Sequence, residues 1–189
     1  MDEPLNIIFI GDSLTEYYDW QARFSAHQVL NLGLSGETVQ GLSVRVRRII
    51  GTASAPNVLF VMTGINNLTM EDFDILDEYK KMLRNLKTAF PSTSIVIQSI
   101  LPVNMWADNK KIEDINRELK AIARSMKLSF LDVYASFIDQ DGNLRDECLL
   151  EDGVHLSEKG YEVWSERVAD FIDHLPRKSS SSRSSSSKE

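Results

Sequence analysis

Ser13, Gly36, Asn66, Asp152 and His155 are residues whose types could together perform acyl transfer. Serine is a weak nucleophile until a base takes its proton. His155 is the suitable base, because an unperturbed imidazole titrates near ~6.5. An imidazole in that role needs a partner that fixes its tautomer and steadies the imidazolium. Asp152 lies three residues before His155, and Gly153 between them lets the loop fold the carboxylate back. Acyl transfer also needs donors aimed at the oxyanion. The Ser13 N–H, the Gly36 N–H and the Asn66 side-chain amide can supply three. This set asks for no metal and no cofactor. The other histidines, His27 and His174, fall at a helix end and near the tail, and are weaker rivals for the base.

Each position also has an ordinary explanation. Serine, glycine and asparagine are common turn residues. The discriminating observation is where the surrounding elements place them. Short apolar runs at residues 7–10, 28–32, 57–62, 94–100 and 128–133 read as strands. Apolar residues at helical spacing follow each of the inner runs: Val39, Leu42, Val46 and Ile49; then Phe73, Leu76, Leu83, Leu86 and Phe90 on a long helix over 71–90; then Ile112, Ile115, Leu119, Ile122 and Met126 over 110–126. A last helix, capped by Ser157, carries Tyr161, Trp164, Val168, Phe171 and Ile172. Strands alternating with helices imply α/β class and a three-layer α/β/α sandwich: a flavodoxin-like, doubly wound, five-stranded parallel sheet. In that architecture Ser13, Gly36 and Asn66 each follow the carboxyl end of a strand, where open α/β sheets bind ligands.

Four larger side chains fall near the same edge. Tyr17 and Tyr18 either wall a pocket beside Ser13 or pack. Met105 and Trp106 follow the fourth strand, where a tryptophan suits a pocket rim and a packed position equally. Asp139 to Asn143 resembles part of a calcium loop but lacks its full spacing and its terminal bidentate glutamate, so it reads as a turn.

Bulk properties narrow the function further. The 189 residues suffice for one domain with a sizeable core, expected over residues 1–176. Residues 177–189 are rich in serine, lysine and arginine, cannot bury a core, and are expected to be a disordered tail. That tail carries four bases and one acid, so the net charge of −7 leaves −10 on the part before it. An acidic body argues against nucleic acid as a partner. No apolar run reaches the ~20 residues of a membrane span, so no stable membrane insertion is expected. The first residues lack the basic region of a signal peptide, which makes cytoplasmic the default placement. The single cysteine, Cys148, excludes an internal disulfide and reads as a small buried hydrophobe.

The same residues fall into blocks that resemble the GDSL, or SGNH, esterases and lipases. Gly11-Asp12-Ser13-Leu14 looks like the first block. Asn31 to Thr38 looks like the second, with Gly36 at its oxyanion position. Gly64-Ile65-Asn66-Asn67 looks like the third, and Asp152-Gly153-Val154-His155 like the last. The resemblance implies a Ser-His-Asp triad, an acyl-enzyme, a small-molecule ester substrate and no cofactor. Many members have Asp where this chain has Asn67, so the hydrogen bonds of that loop must differ. The Asn-Asn pair and Leu101-Pro102-Val103 are similar to the platelet-activating-factor acetylhydrolase-like branch, which points to acetyl or other short acyl esters. A lysophospholipase or acyl thioesterase is the alternative within the family, and a non-catalytic flavodoxin-like binding module the alternative outside it. A homodimer is compatible with the sequence, and nothing in it selects an oligomeric state.

Overall fold

The computed structural model describes residues 3–105 and 108–175. β1 (Asn6–Gly11), β2 (Gln28–Gly33), β3 (Val58–Met62), β4 (Ser94–Gln98) and β5 (Ser129–Leu131) form an all-parallel sheet in the order β2-β1-β3-β4-β5. The helices are α1 (Ser13–Glu16), α2 (Trp20–Arg23), α3 (Val39–Thr52), α4 (Ile65–Thr69), α5 (Leu76–Ala89), α6 (Asn109–Met126) and α7 (Glu158–Asp173). The sheet grows from β1 toward β2 on one side and toward β3, β4 and β5 on the other. That switch opens a crevice beyond the carboxyl ends of β1 and β3.

Both faces of the sheet are covered, which is why every residue of β3 is buried. On one face Phe9 stacks on Trp20 of α2 at 4.0 Å and on Phe60 at 4.9 Å. Trp164 and Phe171 of α7 close over Trp20 and Phe60 edge-on. α3, α5 and α6 pack side by side on the other face. Each buried Phe, Ile or Leu contributes ~1.5–3 kcal/mol, and this two-sided core is what holds the strand ends rigid. The Trp164 indole N–H donates to Gln98 Oε1 at 2.7 Å, so this buried polar edge is satisfied too. Thr38 and Ser157 cap α3 and α7 as expected, accepting from the N–H groups of Gly41 and Gly160.

One predicted element differs. The helix expected over 71–90 begins only at Leu76. The short α4 precedes it, and Glu71 adopts a left-handed φ of 59° that breaks the helical path. The Asp72 N–H turns back to the carbonyl of Asn67 at 2.9 Å. Phe73 therefore lies off the helix, half-buried, with the Lys111 ammonium 4.4 Å from its ring centre. Residues 139–143 form a turn in which Asp139 Oδ1 accepts the N–H groups of Asp141 and Asn143. Cys148 is buried. Among the described residues no helix is long and apolar enough to cross a membrane. Residues 176–189, including the Ser-rich tail, lie outside the described residues.

Candidate active site

β1 stops at Gly11, whose neighbours in register are Gly33 and Met62. A Cβ there would sit 2.1 Å from the Met62 carbonyl oxygen, so only glycine lets the chain turn this close to β3. Asp12 then caps α1, its Oδ1 accepting the Leu14 N–H at 3.1 Å. Ser13 opens the helix, where no intrahelical carbonyl can reach its N–H.

Ser13 Oγ lies 3.1 Å from His155 Nε2, although 142 residues separate them. His155 Nδ1 lies 2.6 Å from Asp152 Oδ2. The other carboxylate oxygen accepts the N–H groups of Val154 and His155, both at 2.9 Å. The loop that carries these residues is closed by backbone bonds. Leu149 bridges Leu156, the Leu150 N–H donates to the His155 carbonyl at 2.8 Å, and the Asn104 N–H donates to the Gly153 carbonyl at 2.8 Å. Gly153 has a φ of +72°, and a Cβ on it would lie 2.0 Å from the Asn104 carbonyl oxygen. Burial alone would raise the Asp152 carboxyl; the Val154 N–H and the His155 ring and N–H outweigh it and hold the group down at about 2. Asp152 is thus an anion wherever the imidazole titrates. It favours the tautomer with the proton on Nδ1, which leaves the Nε2 lone pair facing the Ser13 hydroxyl.

Across from this loop, Leu34 to Glu37 form a turn closed by the Glu37 N–H on the Leu34 carbonyl at 3.1 Å. Gly36 occupies its third position with a φ of +73°, a conformation that disfavours any side chain. The turn is pinned on both flanks. Glu16 Oε2 accepts the Ser35 N–H at 2.7 Å and the Ser35 hydroxyl as well. The Glu37 carboxylate receives Arg45 at two points, 2.7 and 2.5 Å. Asn66 Nδ2 donates one hydrogen to the Glu37 carbonyl at 3.0 Å, which sets its amide beside the Gly36 turn with a second hydrogen left over.

Asn67 is buried, and its side chain joins three segments. Its Oδ1 accepts the Val39 N–H at 2.9 Å, and its Nδ2 donates to Gln40 Oε1 at 2.8 Å and to Asp72 Oδ2 at 2.7 Å. Its amide needs a donor end here, since it faces a carboxylate.

The structure brings Ser13, His155 and Asp152 into one chain of contacts, and Asn66 against the Gly36 turn. Tyr17 is 59% exposed, with its ring centre 5.5 Å from that of His155. Tyr18 turns away: it stacks on Tyr161 at 4.8 Å and donates to Ser165 Oγ. Met105 is half-buried against the core, next to the Asn104 that braces the His155 loop. Trp106 lies outside the described residues. His27 accepts the Leu5 N–H and His174 meets the Asp170 carbonyl, so both rings serve local backbone. A groove of about 340 Å³ runs along Asn6, Gln28, Leu30 and Thr52 at the opposite, amino edge of the sheet. Chemistry rather than concavity marks the site. Sequence reasoning missed Glu16, Arg45 and Asp72 as supports. Asp72, five residues after an unusual Asn67, is the one whose spacing could have signalled it.

The GDSL-like Lipase/Acylhydrolase family matches residues 9–163. The chain is 24% identical over 181 residues to the platelet-activating factor acetylhydrolase IB subunit alpha2 of Rattus norvegicus, covering 92% of this chain and 79% of that one. To the alpha1 subunit of the same species it is 25% identical over 169 residues, covering 85% and 72%. Among solved structures, one from Streptococcus pneumonia, provisionally described as a platelet activating factor, superposes with a TM-score of 0.78 at 28% identity, covering 90% of this chain and 85% of that one. With blocks, fold and edge geometry in agreement, the chain belongs to the GDSL-like lipase/acylhydrolase family and is an ester hydrolase.

Proposed function

We propose that this enzyme hydrolyses short-chain acyl esters, acetyl-type first among them, through a Ser13-His155-Asp152 triad. The contact chain from Ser13 Oγ through His155 to Asp152 carries the reading. His155 Nε2 takes the Ser13 proton as Oγ bonds to the ester carbonyl carbon. The oxyanion meets the N–H of Ser13, the N–H of Gly36 and the free amide hydrogen of Asn66. The imidazolium then protonates the leaving alkoxide, releasing the alcohol and leaving an acyl-Ser13. Water, deprotonated by His155, attacks that acyl group, and the acid departs as Ser13 regains its proton. These residues need no metal or cofactor for any step.

The acyl preference rests on the open surface beside Tyr17 and on the acetylhydrolase names of the relatives. A methylene adds up to ~0.8 kcal/mol only where it is buried. On an exposed surface, longer chains gain little. A p-nitrophenyl ester series from acetate to palmitate, assayed below micelle-forming concentrations, tests this reading. Highest kcat/KM from acetate to butyrate is expected. A maximum at decanoate or beyond would favour a lysophospholipase or thioesterase. An organophosphonate should label Ser13, and an adduct elsewhere would overturn the nucleophile.

A further inference from the structure

The residue before the proposed nucleophile carries a carboxyl that the mechanism above does not use. Asp12 is 0% exposed. Its Oδ1 is occupied by the Leu14 N–H, while its Oδ2 has no hydrogen-bond partner among the described residues. Polar groups reach it from several elements. From α5 comes the Tyr79 hydroxyl, buried, likewise without a hydrogen-bond partner among the described residues, and close enough for the Asp12 charge to oppose its ionisation. From α7 comes Tyr161, whose hydroxyl is committed to the Leu14 carbonyl at 3.0 Å. From the turn after β2 comes the Glu37 carboxylate, held by Arg45. From the last loop comes His155, whose Nε2 lies 3.1 Å from Ser13 Oγ. Among the described residues no base forms an ion pair with Asp12. An ionised carboxylate here would be a buried charge facing another negative charge, which is strongly unfavourable. A neutral acid keeps Oδ1 as the acceptor for Leu14 and leaves no unpaired charge on the buried Oδ2.

We propose that Asp12 is a positioning residue that works as an uncharged acid, holding the Ser13 turn through the Leu14 N–H without setting a charge beside the nucleophile, and that its ionisation turns the esterase down. The proposal rests on reading Ser13 as the nucleophile and its N–H as an oxyanion donor. A carboxylate one residue before that N–H sets negative charge beside the negative charge that develops on the substrate oxygen, and so opposes the transition state. Burial, opposed by the Leu14 N–H and aided by the Glu37 charge, raises the Asp12 carboxyl to about 7. The loss of activity therefore falls on the alkaline side, opposite in direction to the loss that protonating a histidine base causes.

The test compares Asp12→Asn and Asp12→Ala with wild type across about pH 5 to 9, with acetate ester hydrolysis followed by pH-stat. Wild type should lose activity on the alkaline side. Asp12→Ala should fall ~10²-fold at about pH 6, and Asp12→Asn should recover most of that loss and lack the alkaline limb. Equal losses in both variants with the limb still present would overturn the proposal, as would a wild type with no alkaline limb. A second measurement needs no turnover. Infrared spectra of wild type should show a protonated carboxyl band that fades as pH rises through about 7 and is missing from Asp12→Asn. A wild type with no fading band would overturn the uncharged state even if the ester assay behaves as expected. Failure of the esterase reading itself would appear instead as unimpaired hydrolysis by Ser13→Ala.

Discussion

The buried Asn67 amide donates to the Asp72 carboxylate at 2.7 Å. The acid that faces this amide comes from the turn five residues later in the chain. Asn67→Asp should set two carboxylates against each other and cost roughly 1–3 kcal/mol in stability, with the α3 start and the Asn66 amide disturbed. The double variant Asn67→Asp with Asp72→Asn should recover much of that loss. Urea unfolding of the three proteins checks both statements. A double variant as unstable as Asn67→Asp would show that the pairing is not the cause.

Asn66 and Asn67 are adjacent but face different work. Asn66→Ala should lower kcat by ~10²–10³ with a smaller change in KM, because its free hydrogen acts on charge present mainly in the transition state. Asn67→Ala should act chiefly on stability. Steady-state kinetics beside thermal melts separate the two.

Gly153 couples the base to the core. Gly153→Ala would push a methyl into the Asn104 carbonyl and strain a backbone at φ +72°. The loop must move, and with it the His155–Ser13 contact. Activity should drop at least ~10²-fold, since even an ångström of misplacement in a reacting pair is that costly. A variant with wild-type kcat would show that the loop tolerates the shift.

The orienter and the base should separate in pH behaviour. Asp152 is held down at about 2, and such a depressed carboxyl contributes stability above its unfolded value of 3.8 that is lost as pH falls through about 2. It is half-exposed, so that contribution is small. Asp152 therefore stays ionised at neutral pH and adds no limb of its own to activity there. His155→Ala should lose nearly all activity, and Asp152→Asn a large part of it by favouring the wrong tautomer. A rate independent of pH from about 5 to 7 would exclude a histidine base.

Asp12 makes the opposite contribution to folding. Its carboxyl is raised, so the folded state holds a proton that the unfolded chain releases. Wild-type stability should fall as pH rises from about 4 through about 7, by at most on the order of 4 kcal/mol from this group. Asp12→Asn should lack that slope. Chemical denaturation at both ends of the window provides the comparison.

The local signals in the chain determined a great deal. Apolar runs of strand length and stripes of helical spacing depend only on neighbours along the chain, so β1 to β5, α3, α6 and α7 were legible. The parallel order then required Ser13, Gly36 and Asn66 to share one edge. Asp152 and His155 were legible because three residues and a glycine suffice to fold one onto the other. Other features depended on groups distant in sequence. The start of α5 is set by Asp72 turning back to Asn67, not by the apolar stripe that continues through Phe73. Tyr17 and Tyr18 are indistinguishable as neighbours, yet α7 draws one into a stack and leaves the other beside His155. The charge state of Asp12 depends on burial by the packed elements and on Glu37, which arrives from the turn after β2. Desolvation is a property of the assembled surroundings, and that is why no spacing in the chain could announce it.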